Sequence, residues 1–231
     1  MTLNQILDKL HSLANPEKVA FKAKKFAVIT PNSLGIYHKD LKEMAKDIPK
    51  DEELAMKLFD TGIYEARLLS AKLFKPKNVT SEKAEKWIKV FDNWEICDSF
   101  CMGLIAKSSL AKSKILEWDK RKPEFEKRAA YATMAAYCMA DKKAPNNIFE
   151  AFLPMIYNAS TDERLYVKKA VNWALRSIGK RNIDLRAKAL KCSYEILKQD
   201  NKAAQWIAKD AIKELKGENV RSSDYPRDVY R

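Results

Sequence analysis

The chain has 231 residues, of which 46% are hydrophobic and 32% charged, a balance that excludes intrinsic disorder and allows one large core or an extended array. Lys plus Arg number 44 against 31 Asp plus Glu, and the formal charge of +13 favours a polyanionic partner, most simply nucleic acid, over a merely solvated lysine-rich surface. With only 5 glycines, neither sheets joined by tight turns nor a glycine-rich phosphate loop is expected.

Helix follows helix along the chain. Leu3, Ile6, Leu7, Leu10 and Leu13 step at helical spacing and stop before Asn15-Pro16, where Pro16 suits a first helical position. A second helix from about Glu17 breaks at Thr30-Pro31-Asn32. A third runs from Ile36 to Ile48 and ends at Pro49. Asp51 to about Phe59 and Gly62 to about Phe74 form a pair, and so short a connection implies antiparallel neighbours. Thr80 or Ser81 caps the helix holding Trp87 and Ile88.

Asp92 reads as the N-cap of a helix reaching about Lys107, with Glu95 completing a capping box. On that register Trp94 and Asp98, four residues apart, share a face. A short helix with Leu110, Ile115 and Trp118 follows, then Phe125 to about Ala140 and Pro145 to about Asn158. Ser160-Thr161-Asp162-Glu163 reads as a capping box opening a helix to about Lys180; Asn182 caps another to about Gln199, and the last runs from about Lys202 to Lys216. Residues 1–217 therefore read as a single helical domain, and 218–231 as a polar, frayed tail.

About a dozen helices without a strand pattern define an all-α fold, either a globular bundle or a superhelix of helical pairs. The recurrence of a basic residue followed by alanines, at Arg67, Arg128, Lys169 and Arg186, fits repeats of HEAT type. Cys97, Cys101, Cys138 and Cys192 lack metal-ligand spacing and read as buried thiols, so no cofactor or metal is implied. No apolar run nears the ~20 residues that cross a bilayer, and the N-terminus lacks a signal-peptide core, which makes the chain intracellular on this reading, with no membrane partner.

Three segments carry a family resemblance: Trp94-x-x-x-Asp98, Arg128 within Phe125-Glu126-Lys127-Arg128-Ala129-Ala130, and Val167-Lys168-Lys169-Ala170-Val171-Asn172-Trp173-Ala174-Leu175-Arg176. Together with Asn15-Pro16-Glu17-Lys18 and Leu34-Gly35-Ile36 they resemble the AlkD family of DNA alkylation repair glycosylases, from about residue 3 to about residue 216. The resemblance implies a HEAT-like superhelix that acts, as a cytoplasmic monomer, on duplex DNA containing alkylated bases. It implies cleavage of the N-glycosidic bond of purines alkylated at N3 or N7, without a cofactor.

By that resemblance Asp98 lies next to the deoxyribose of the lesion, Trp94 and Trp173 contact the damaged nucleotide, and Arg128 contacts DNA nearby. Arg176, Lys168 and Lys169 are then phosphate ligands. The family's N-terminal DNA-contacting aromatic stays unassigned among Phe21, Phe26 and Tyr37. On the residues alone, Trp94 and Trp173 also read as core aromatics and Asp98 as a structural ion-pair partner. A non-catalytic DNA-binding module and a protein scaffold of the same shape remain the alternatives.

Overall fold

The computed structural model describes residues 1–229. Among them it is all helical, with no strand, and it divides into two compact units, one ending at Leu110 and one starting at Ala111, where the sequence reads one domain.

The first unit holds α1 (Leu3–Ser12), α2 (Pro16–Phe26), α3 (His38–Met44), α4 (Glu52–Asp60), α5 (Tyr64–Leu73), α6 (Ser81–Ile88) and α7 (Trp94–Gly103). Helices α3, α5 and α7 lie side by side in a row, and α1 and α4 back onto α5. The row is fixed by aromatic packing around Phe100, whose ring lies 5.3 Å from that of Trp87, 5.6 Å from Phe91 and 5.9 Å from Phe59. Ile96, Cys97, Phe100 and Cys101 bury one side of α7, which leaves Trp94 and Asp98 on the other.

The motif Leu34-Gly35-Ile36 has a physical reason. Glu65, fully buried on α5, accepts hydrogen bonds from the Leu34 and Gly35 amides at 2.7 and 2.9 Å, from the Ile36 amide at 3.3 Å and from the Ser33 hydroxyl at 2.9 Å. A carboxylate satisfied by so many donors can afford burial. Gly35 takes φ +76°, and a Cβ there would sit 2.3 Å from the Asn15 carbonyl oxygen, so no other residue fits. The Asn15 amide donates to the Leu34 carbonyl at 2.7 Å, which ties the start of α2 to this loop.

The second unit holds α8 (Ala111–Trp118), α9 (Glu124–Ala140), α10 (Asn146–Glu150), α11 (Leu153–Ala159), α12 (Leu165–Gly179), α13 (Ile183–Leu197) and α14 (Lys202–Leu215). Here α9, α12 and α14 form the row, while α8 packs on α9, α11 on α12 and α13 on α14. Small residues let the row close up: Ala129, Ala132 and Ala136 on α9 and Ala170 and Ala174 on α12 are all buried. At Gly179 an added Cβ would lie 2.7 Å from the terminal methyls of Leu215, so a methyl group there would push that side chain aside.

Several helix ends depart from the sequence reading. The cap of α7 is Asn93, which accepts from the Glu95 and Ile96 amides; Asp92 instead accepts from the Thr30 hydroxyl at 2.7 Å. The helix expected over Pro145–Asn158 is two helices, because Pro154 has no amide to donate back into the turn before it. The expected capping box at Ser160–Glu163 does not form. Ser160 closes α11 by donating to the Tyr157 carbonyl at 2.7 Å, while Asp162 accepts from the Arg164 guanidinium.

The tail is also tied down. Ser223 and Tyr225 donate their amides to the Lys180 and Arg181 carbonyls at 2.8 Å each, and Asn182 donates to the Tyr225 carbonyl. Polar composition suggested fraying, but these groups satisfy the carbonyls that follow α12. The last two residues of the expected tail lie outside the described residues.

Arg181 is the joint of this unit. Only 1% exposed, it donates to the carbonyls of Cys138 in the last turn of α9 and of Asp141 and Ala144 just beyond it, at the negative end of that helix, and its guanidinium stacks 3.9 Å from the Phe149 ring centroid. Arg181→Ala is expected to cost about 3–5 kcal/mol, since it strands those buried acceptors and opens a cavity. Lys198→Ala, which removes only an exposed pair with Glu195, is expected to cost under ~1 kcal/mol. Urea unfolding of both variants checks the contrast, and equal midpoints would refute it.

Candidate nucleic-acid interface

In the first unit the site residues are held by the start of α7. The Trp94 indole Nε1 donates to the Phe26 carbonyl at 2.8 Å, so the last residue of α2 fixes the ring. Ala27 makes this possible by turning into the left-handed region (φ 52°) and ending α2 at that point. The adjacent Glu95 faces inward: Lys22 Nζ lies 2.8 Å from Glu95 Oε2, with the two side chains 4% and 14% exposed.

The Tyr64 hydroxyl stands 2.9 Å from both Glu95 Oε2 and Asn93 Oδ1, and its single proton serves one of them at a time. Burial, and then the charge of Glu95, push the Tyr64 pKa up, so the phenol keeps that proton. Lys22, Tyr64, Asn93 and Glu95 thus lock the first turn of α7 from beneath. Above it, half-buried, Trp94 and Asp98 sit one turn apart on the same face.

Close by on α2, Phe21 and Phe26 are each 43% exposed. Their rings meet edge to face at 5.8 Å, with Lys25 Nζ 5.1 and 5.6 Å above them. Tyr37 is half-buried under Lys18, 5.1 Å away.

In the second unit, Lys169, Trp173 and Arg176 share one face of α12 at spacings of four and three. Lys169 is exposed and Trp173 half-buried. Lys168, at a different angle, lies 5.2 Å over the ring of Trp206, which is itself 41% exposed. Arg176 pairs with Glu214 and stands 3.6 Å from Asp210, both on α14, and Lys180 also reaches Glu214 at 2.6 Å. Burial alone would raise the Glu214 pKa, but Lys180 and Arg176 outweigh it and hold the carboxyl below its usual range.

The sequence profile of the DNA alkylation repair enzyme family matches residues 6–215. The chain belongs to that family. Among solved structures, a member of a new family of proteins related to the HEAT-like repeat DNA glycosylases, with affinity for branched DNA structures, superposes with a TM-score of 0.75. It is 21% identical, and the match covers 98% of this chain and 100% of that one. A designed armadillo repeat protein, 14% identical, matches over 77% of this chain and 92% of its own with a TM-score of 0.35, too low to bear on the fold. No curated protein matches the sequence. The fold of this DNA alkylation repair family member is therefore the all-helical, HEAT-like repeat fold expected from the sequence. Among its described residues no helix is long and apolar enough to cross a membrane.

Two expected phosphate ligands are engaged within the protein. Arg128 is 6% exposed and donates to the Tyr166 carbonyl at 2.7 Å, while Glu124 accepts from the Tyr166 amide at 3.0 Å. Because α12 has no side-chain cap of its own, Glu124 from α9 supplies one, and Arg128 braces the carbonyl of the same residue. Arg128 therefore helps set the start of the helix that carries Trp173, and its guanidinium is engaged within the protein. Arg176 would have to exchange Glu214 for a phosphate, which leaves Lys168 and Lys169 as the more accessible cations of the expected set.

The residues that sequence reasoning missed are Lys22, Tyr64 and Asn93. Lys22 lies in the run Phe21-Lys22-Ala23-Lys24-Lys25, which reads as a solvated basic face; its one distinguishing signal is that it falls on the apolar side of α2. Lys22→Ala would leave the half-buried Glu95 carboxylate without its cation, with only the Tyr64 hydroxyl still in reach, and is expected to cost about 2–4 kcal/mol. The double replacement Lys22→Met/Glu95→Leu is expected to recover most of that loss. Chemical denaturation of the two single variants and the double variant measures the coupling, and strictly additive losses would show that the pair does not act as a unit.

Proposed function

We propose that this protein is a monofunctional DNA glycosylase that excises cationic purines, those alkylated at N3 or N7, from duplex DNA. Membership of the DNA alkylation repair enzyme family supports the reaction class. The observation that carries the specific reading is the pairing of a half-open indole and a half-open carboxylate, Trp94 and Asp98, one turn apart on a helix whose first turn is locked from below.

The chemistry needed is modest. Alkylation at N7 or N3 makes the purine a cation, so it leaves as a neutral base carrying the electrons of the C1′–N bond. Positive charge then develops on the deoxyribose. The Asp98 carboxylate stabilises that charge more in the transition state than in the ground state, which is the condition for catalysis. Water adds to C1′ and gives up one proton, to Asp98 or to solvent. In this proposal Trp94 and Trp173 offer ring faces to the cationic nucleotide, and Lys168 and Lys169 hold phosphates, supported by the net charge of +13. Arg128 and Arg176 act through the positions of α12 and α14.

A second reading is supported by the solved relative described as having affinity for branched DNA. The protein would then grip DNA of unusual shape without cutting it. Incubation with duplex DNA containing 7-methylguanine separates the two. The glycosylase reading expects free 7-methylguanine from the wild type and loss of release by at least ~100-fold in Asp98→Asn, with binding largely kept. Undiminished release by Asp98→Asn would remove that carboxylate from the mechanism. No release from the wild type, combined with tighter binding to a four-way junction than to a duplex, would favour the second reading.

A further inference from the structure

His38 lies outside the site above, yet its surroundings are electrostatically unusual. It is the first residue of α3, and its Nε2 is 2.8 Å from Lys72 Nζ on α5. An ammonium has protons and no lone pair, so at this distance Nε2 is the acceptor and the ring is neutral. The charged groups acting on His38 come from four elements: Lys72 of α5, Lys22 of α2, Lys42 one turn along α3, and Glu95 of α7. Glu95 is the lone anion among them, and Lys22 already occupies it at 2.8 Å.

That leaves Lys42 and Lys72 in cationic excess beside the neutral His38 ring, with His38 and Lys42 at the surface and Lys72 half-buried. Burial, followed by Lys72, holds the His38 pKa down. Burial, followed by Lys42, does the same for Lys72. A cluster of donors that repel one another when fully charged is complementary to an anion with several oxygens.

We propose that His38 and Lys72, assisted by Lys42, form a proton-linked site for one phosphodiester group of the DNA backbone. The proposal rests on the reading that the α7 face of the first unit meets DNA. On binding, the Lys72 ammonium turns from Nε2 to one phosphate oxygen. The imidazole takes a proton from solvent and donates Nε2–H to a second oxygen. No covalent bond changes, and one proton is taken up. The bound anion raises the His38 pKa above its lowered value in the free protein. Between those two values DNA affinity rises as pH falls, and outside them this site adds no pH dependence.

The chain has 2 histidines, so imidazole NMR reads the site directly, with His38→Asn assigning the resonances and His11 serving as internal control. Saturating undamaged duplex is expected to raise the His38 ring pKa by about one unit or more and to leave His11 unchanged. Inorganic phosphate at millimolar concentration should move it far less, and an equal shift would mean a small-anion site and overturn the assignment to DNA. Lys72→Gln should weaken duplex binding and reduce the slope of log K against log salt by about 0.9. His38→Asn should flatten the pH dependence of affinity between the free and the DNA-bound pKa of the His38 ring. A His38 pKa unmoved by saturating duplex refutes the proposal. Because the titration uses undamaged DNA and reads no cleavage, the two ideas fail separately. Base release with an unshifted His38 removes only the phosphate site, and a shifted His38 without base release removes only the glycosylase.

Discussion

The contact between Lys22 and Glu95 beneath the first turn of α7 sets the terms for everything above it. A lysine withdrawn from water carries a desolvation cost that its carboxylate partner offsets only when both are held at short range. Tyr64 and Asn93 complete that hold, and Phe26 fixes the indole from the side. Helix α2 is in turn anchored through Asn15 to the loop that Gly35 and Glu65 organise. The chain of dependence runs from a glycine with positive φ, through a clamped loop and a helix end, to the face presenting Trp94 and Asp98. None of the intermediate residues needs to touch a ligand to decide where that face points.

The second unit solves the same problem with different chemistry. Helix α12 starts without a side-chain cap, and α9 lends it Glu124 and Arg128 for the amide and carbonyl of one residue, Tyr166. At its other end, the returning tail takes up the Lys180 and Arg181 carbonyls, which would otherwise be unserved. Trp173 therefore rides on a helix whose two ends are governed by neighbours.

Most of the fold could be read from the sequence because helical periodicity and local caps are short-range properties. Thr80 and Asn182 cap the helices they were expected to cap. Reading failed where a local motif had a better distant partner. Glu95 has the spacing of a capping box but is claimed by Lys22, and Ser160 and Glu163 have the spacing of another, but the Ser160 hydroxyl accepts from the Gln199 side-chain amide at 3.0 Å. The same limit governs the candidate site. Trp94 and Asp98 share a face as their spacing requires, whereas Arg128 and Arg176, which read as open cations, are engaged by Tyr166 and Glu214 through contacts far apart in sequence.

The stretch after Gly217 invites trimming, since nothing in its composition advertises structure. Yet the amides of Ser223 and Tyr225 and the carbonyl of Tyr225 are knitted into the turn between α12 and α13, with the Tyr225 ring 5.7 Å from the Arg181 guanidinium. A shortened protein ending at that glycine would bare the joint that closes the second unit. An unstable recombinant product would then be a fault of the cut rather than a property of the repeat fold.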